Sequence, residues 1–173
     1  MLAGNGAYEG FIPGIDATVV TRILDAGGRI VGKTHCETAS GGGHTNPTGL
    51  IHNPHKRGYS PGGTSGGSAV VVAAGAADMA IGADQGGSIR IPAAHCGIVG
   101  LKPTWGLVPY TGIAPFEYTI DHAGPMTRDV ADNALLLDVI AGPDGWDPRQ
   151  GGAVKTDYLA RLDGSPNGLR VAL

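Results

Sequence analysis

Apolar residues recur at helical spacing in two parts of the chain. Near the start, Val19, Val20, Ile23 and Leu24 share one face while Thr21, Arg22 and Asp25 share another. That period predicts a helix capped by Asp16 and stopped by Gly27. Over residues 129–141, Val130, Ala134, Leu137 and Ala141 form one stripe with Leu136 and Ile140 beside it. Asp129, Asp132, Asn133 and Asp138 fall on the wet side, and Gly142-Pro143 ends the helix.

Between these two helices the pattern changes. Residues 69–77 are nearly all Ala and Val, which predicts a helix packed tightly on every side. Residues 29–33 and the run ending at Asp84 predict short strands. The first of these follows a helix directly, so it reads as a crossover unit of a sheet covered by helices. Residues 93–97 finish a short helix beyond Pro92. Residues 34–59 read as loop, with Gly41-Gly42-Gly43-His44 and Asn53-Pro54. Residues 100–112 carry the turn residues Pro103, Gly106, Pro109 and Gly112, with Trp105 and Tyr110 between them as wall or packing residues. Residues 142–168 form a polar connector into an apolar run, 169–173, that reads as a strand cut off part-way. The fold class expected is α/β.

Composition narrows the function. Glycine supplies 31 of 173 residues against an average near ~7%, and aromatics are only 5%, so packing rests on close backbone approach and on aliphatic side chains. A hydrophobic content of 42% is too high for a disordered linker. Net charge is −3 with no basic cluster, which leaves no electrostatic footprint for nucleic acid. Cys36 and Cys96 lie far apart without Cys-x-x-Cys spacing, which argues against a zinc site or a disulfide scaffold. His52 and His55 are separated by Pro54, which favours a turn over a helical metal site. No apolar run is long enough to span a bilayer and no leader opens the chain, so no membrane role and a cytoplasmic location are expected.

Candidate chemistry concentrates in residues 60–92. Ser60-Pro61-Gly62-Gly63-Thr64-Ser65-Gly66-Gly67-Ser68 is followed by the small-residue helix, and then by Asp84-Gln85-Gly86-Gly87-Ser88-Ile89-Arg90-Ile91-Pro92. Glycine beside hydroxyl residues lets backbone or ligand approach closely. Ser88 falls where a strand ends and a short helix begins, a turn at which successive N–H groups can favour developing negative charge. Ser88 is therefore a candidate nucleophile, with Gln85, Gly86, Gly87 and Ser88 as candidate oxyanion donors. A plain loop is the alternative. A Walker loop, a dinucleotide fingerprint and the Gly-x-Ser-x-Gly elbow are each missed, since Ile89-Arg90 follows Ser88. Asp121 and His122 invite a triad with Ser88, but neighbours on the chain do not easily face one serine together.

The whole stretch resembles the amidase signature family of amide hydrolases. The resemblance runs through Gly62 to Ser68, Asp84 to Pro92, Cys96-Gly97, Gly100-Leu101-Lys102-Pro103-Thr104, Gly106-Leu107-Val108-Pro109, Asp121-His122-Ala123-Gly124-Pro125 and Arg128. It implies a mixed β-sheet core surrounded by helices, present here in part, as the central part of a single domain spanning residues 1–173. It also implies Ser88 as the acylated nucleophile. In the family a serine with a cis peptide bond relays the proton between nucleophile and lysine, and its position here is Thr64, which keeps the hydroxyl and adds a methyl. Ser65 and Ser68 are expected to brace the loop, with Asp84 and Arg90 orienting the turn.

The family's lysine, in a Val-Lys-Asp-like context, has no match here. Lys33 belongs to a different family segment and reads as structural or substrate-side. Met1 is thus expected to lie just past the lysine, with the C-terminal half also lacking. The resemblance implies no cofactor and no metal, a small-molecule amide as substrate, and a homodimer as one assembly open to the full-length protein. Residues 84–88, 106–112 and 141–150 look most like amidases associated with nitrile degradation. An amidotransferase subunit for misacylated tRNA, an inactive remnant without the lysine, and a nucleotide-binding module remain as alternatives.

Overall fold

The computed structural model describes residues 4–37, 49–165, 167, 168 and 170. Three strands form one antiparallel sheet in the order β1-β3-β2, with β1 at Met79–Asp84, β2 at Val99–Gly100 and β3 at His122–Thr127. The β1–β3 register runs from Met79↔Thr127 to Asp84↔His122, and β2 pairs Val99↔Thr127 and Gly100↔Met126. Successive strand residues point to opposite faces, so the sheet divides the apolar residues into two cores.

One core gathers Val19, Leu107, Val108, Tyr110, Ala123, Leu136, Leu137 and Ile140, with Met79 and Ile81 packed against it. Here lie α1 (Thr18–Asp25) and α4 (Val130–Ile140). The other holds Ala69, Ile89, Ala93, Cys96 and Met126, with Ala80 against them. That face carries α2 (Gly66–Ala73) and α3 (Arg90–Cys96). Helices on both faces of a sheet make this an α/β fold. No helix among the described residues is long and apolar enough to cross a membrane.

The central strand β3 contains Gly124-Pro125, a pair that reads as a turn in sequence. Leu101 N donates to Pro125 O at 3.1 Å, so this residue's hydrogen-bonding edge faces β2. The β2 ladder ends at Gly100, and the missing proline N–H interrupts no β1 bond. Gly124 is also required, because a Cβ there would collide with Leu101 O and reach Pro103 Cδ at 2.8 Å.

Several expectations are corrected. Asp16 does not cap α1; Ala17 is the cap residue, and Thr18 N is instead satisfied by Thr111 O at 3.1 Å. Residues 29–33 form no strand, because no described segment supplies a hydrogen-bonding ladder, and Ile30 and Val31 are exposed. Helix α2 starts at Gly66 and stops at Ala73, with the chain turning at Gly75 (φ 71°) and residues 74–76 exposed, so it is not buried on every side. In α4, Asp129 caps the helix by accepting from Asp132 N at 2.8 Å. Val130 lies outside, however, while Asn133 is buried and its Nδ2 donates to Thr127 Oγ1 at 3.1 Å and Pro125 O at 3.3 Å. Its amide ties α4 to β3, a contact that hydropathy alone does not reveal. The strand expected over 169–173, Arg170 apart, and the run Gly41-Gly42-Gly43-His44 lie outside the described residues.

Candidate active site

Ser88 stands in the turn between the end of β1 at Asp84 and the start of α3 at Arg90, and only 9% of it is exposed. Asp84 holds this turn from beneath. Its buried carboxylate accepts Gly87 N at 2.7 Å and Ile89 N at 3.1 Å, and a two-pronged contact from Arg90 Nε and Nη2, each at 3.0 Å. Burial pushes the Asp84 carboxyl up, but the Arg90 guanidinium and the two N–H groups outweigh it and hold the group below the usual carboxylate range. Asp84 and Arg90 are thus bonded to each other within the turn that carries Ser88.

The same geometry corrects one assignment. Gly87 N–H is directed at Asp84, so it is not aimed outward as an oxyanion donor. Gly87 itself adopts φ 135°, and a Cβ there would sit 2.7 Å from Ile91 Cδ1. That conformation is open to glycine and rare for other residues.

The hydroxyl-rich segment before α2 is stitched to β1 and to the Ser88 turn. Ser65 N donates to Ser88 O at 3.2 Å, which brings the residue after Thr64 against the nucleophile candidate's own carbonyl. Ser65 Oγ donates to Ala83 O at 3.1 Å and accepts from Ala83 N at 3.0 Å, replacing a missing ladder partner at the end of β1. Ser68 Oγ donates to Ile81 O at 2.9 Å and meets Thr34 Oγ1 at 2.8 Å. Both serines therefore tie the segment to the strand. Thr64 is buried, and the Gly63–Thr64 peptide is cis.

Sequence reading missed Glu37. This buried residue donates its N–H to Thr64 O at 3.1 Å, and its carboxylate packs where a side chain on Gly63 would lie. The signal available was an acid following the apolar-flanked Lys33-Thr34-His35-Cys36, but nothing in spacing alone predicts that the segment folds against residues 63–64.

Other candidates separate from Ser88. His122 Nδ1 lies 2.7 Å from Ile120 O, and the Asp121 carboxylate meets Gln85 Nε2 at 2.7 Å, so no Ser-His-Asp arrangement forms. His55 Nε2 contacts Cys96 O at 2.8 Å, which ties the preceding loop to α3. Cys36 and Cys96 carry thiols outside any disulfide, and burial pushes the pKa of both up. Lys33 is exposed. Trp105 and Tyr110 flank the Arg149 guanidinium together with Tyr118, at 5.8, 5.1 and 5.6 Å from the ring centroids. Tyr110 is buried while Trp105 is 45% exposed, so the two aromatics of that loop differ in role.

The family described as Amidase matches residues 1–173. An enantioselective amidase of Rhodococcus rhodochrous is 52% identical over 179 residues, covering 100% of this chain and 34% of that protein. A glutamyl-tRNA(Gln) amidotransferase subunit of Haloarcula marismortui is 47% identical, covering 98% of the chain and 41% of its own length. The crystal structure of a peptide amidase from Stenotrophomonas maltophilia superposes with a TM-score of 0.87 at 45% identity, over 94% of this chain and 35% of that one. The chain thus spans well under half the length of the relatives it matches.

Proposed function

Because this chain belongs to the amidase signature family, whose pattern matches it along residues 1–173, we propose that Ser88 is the nucleophile of an amide hydrolase. The observation that carries the reading is the Ser88 turn itself: a buried serine between strand and helix, fixed from below by Asp84. Ser88 Oγ attacks the amide carbonyl carbon, and its proton leaves through the Thr64 hydroxyl toward the family's lysine, which no residue of this chain matches. N–H groups of Gln85, Gly86 and Ser88 receive the oxyanion. Collapse expels ammonia or an amine carrying the proton, and water then cleaves the acyl-serine ester to release the acid.

Small carboxylic amides are the proposed substrates, in keeping with the 52% identity to an enantioselective amidase. A second reading, a transamidation subunit, is favoured by the 47% identity to the amidotransferase of Haloarcula marismortui. One experiment separates them. The full-length protein, free of partners, is treated with a fluorophosphonate and assayed for ammonia release from small aliphatic and aromatic amides. Labelling and ammonia release that both vanish in Ser88→Ala support the hydrolase. Labelling without release from any free amide favours the transamidation reading, and a wild-type protein that neither labels nor hydrolyses sinks both.

A further inference from the structure

Gln85 lies one residue beyond the β1–β3 ladder, and the register places Asp121 directly opposite it, since the ladder's last pair is Asp84↔His122. The two side chains meet there, with Gln85 Nε2 donating to Asp121 Oδ1 at 2.7 Å. Asp121 is only 1% exposed and has little freedom to move. Its Oδ2 accepts Phe116 N at 2.9 Å and Glu117 N at 3.0 Å, and its backbone carbonyl accepts Arg149 Nη1 at 2.9 Å. Arg149 in turn pairs with Asp147 at 2.6 Å, and Asp147 Oδ2 accepts Tyr110 N at 2.8 Å.

Successive residues of an extended strand point to opposite faces. Asp84 therefore grips the turn toward α3, whereas Gln85 grips it from the other side, toward residues 110–121 and 147–149. Between these two anchors run the N–H groups of Gln85, Gly86 and Ser88. Resting on the hydrolase reading of Ser88, we infer that Gln85 and Asp121 form a positioning pair: their hydrogen bond sets where the oxyanion donors point without touching the reacting atoms. A displacement of about 1 Å at a reacting centre costs on the order of 10²-fold in rate, so loss of this 2.7 Å bond lowers turnover well beyond its effect on stability, although Gln85 Nε2 also lies 3.5 Å from the Tyr110 hydroxyl.

The pair has a donor on residue 85 and an acceptor on residue 121, so it can be broken and then rebuilt with the polarity reversed. Gln85→Glu sets two carboxylates against each other. Adding Asp121→Asn restores a hydrogen bond from Asn Nδ2 to the glutamate, while Asn Oδ1 still accepts Phe116 and Glu117 N–H. In the full-length protein, fluorophosphonate titration counts live sites, so turnover per labelled site is read separately from the fraction folded. The expected result is a kcat per site about 10²-fold lower in Gln85→Glu with KM within a few-fold of wild type, and recovery of most of that loss in the double variant. Wild-type kcat per site in Gln85→Glu overturns the inference. So does a folded double variant whose kcat stays as low as that of the single one. A role confined to stability would lower the labelled fraction and the melting temperature and leave kcat per labelled site alone. If the wild-type protein itself neither labels nor turns over, the hydrolase reading falls and takes this inference with it; labelled wild type with unaffected variants removes only the inference.

Discussion

Arg90 and Asp84 meet in a two-pronged contact, Nε to Oδ2 and Nη2 to Oδ1, both at 3.0 Å. The arginine side chain is 52% exposed and the aspartate is completely buried. This asymmetry decides what the pair is for. A half-exposed guanidinium that loses its partner is rehydrated at small cost, whereas the buried Gly87 and Ile89 N–H groups have no such recourse. Asp84→Asn is expected to lower stability by about 1–3 kcal/mol, mainly through those N–H groups. Urea unfolding checks the stability change. Fluorophosphonate labelling of Ser88 is expected to slow in the same variant, and labelling at the wild-type rate would show that the turn holds its shape without the carboxylate.

Thr64 tests the proposed proton relay. Thr64→Val keeps the branched shape but removes the hydroxyl, and is expected to reduce amide hydrolysis by roughly 10²–10⁴-fold with little change in melting temperature. Thr64→Ser keeps the hydroxyl and is expected to stay within about tenfold of the parent on the same scale. Steady-state kinetics of the full-length variants decide, and equal activity in Thr64→Val would remove the relay role.

At Gly67 two effects oppose each other. Alanine is favoured over glycine inside a helix by about 1 kcal/mol. A Cβ at this position, however, would run into the His35 carbonyl oxygen and lie 2.8 Å from His35 N. Backbone cannot swing aside as a side-chain tip can, and Gly67 N already donates to His35 O at 3.1 Å. Overpacking of this kind costs about 1–3 kcal/mol, so Gly67→Ala is expected to destabilise on balance. A raised melting temperature would show that residues 35–37 pack against α2 less rigidly than this contact requires.

Asp144 contributes to the acid limb of stability. Partial burial pushes its carboxyl up, but the N–H groups of Asp147 and Trp146 and the Thr18 hydroxyl outweigh that and bring it from 3.8 to about 2. A carboxyl lowered in the folded state binds protons more readily when unfolded. Its contribution is therefore complete above 3.8, and it is lost as pH falls toward 2. Asp144→Asn is expected to be less stable than the parent near neutrality and to show a shallower loss between these limits. Denaturant midpoints taken across the acid range check this, and parallel profiles for the two proteins would refute it.

Much of the site was legible in the sequence. Local pattern at a strand end pointed to Ser88 as a candidate, and the family resemblance pointed to Asp84 and Arg90, whose bonds within the turn span only a few residues. The resemblance likewise pointed to Ser65 and Ser68, which lie in the glycine-rich run Gly62 to Ser68. What the sequence could not show was the direction of the Gly87 N–H, since four successive N–H groups look alike until the carboxylate beneath them is placed.

By itself, then, the sequence determined the helices at Thr18–Asp25 and Val130–Ile140, the strand leading to the Ser88 turn and the hydroxyl cluster beside it. Hydrophobic period and short-range chemistry are properties of neighbouring residues. The tertiary structure alone decided that Gly124-Pro125 lies within a central strand, that Asn133 is buried, that Glu37 packs at Gly63, and that Asp121 faces Gln85 rather than Ser88. Each of these rests on a hydrogen-bond partner or packing surface distant along the chain or set by strand register, and no local pattern encodes which partner will arrive.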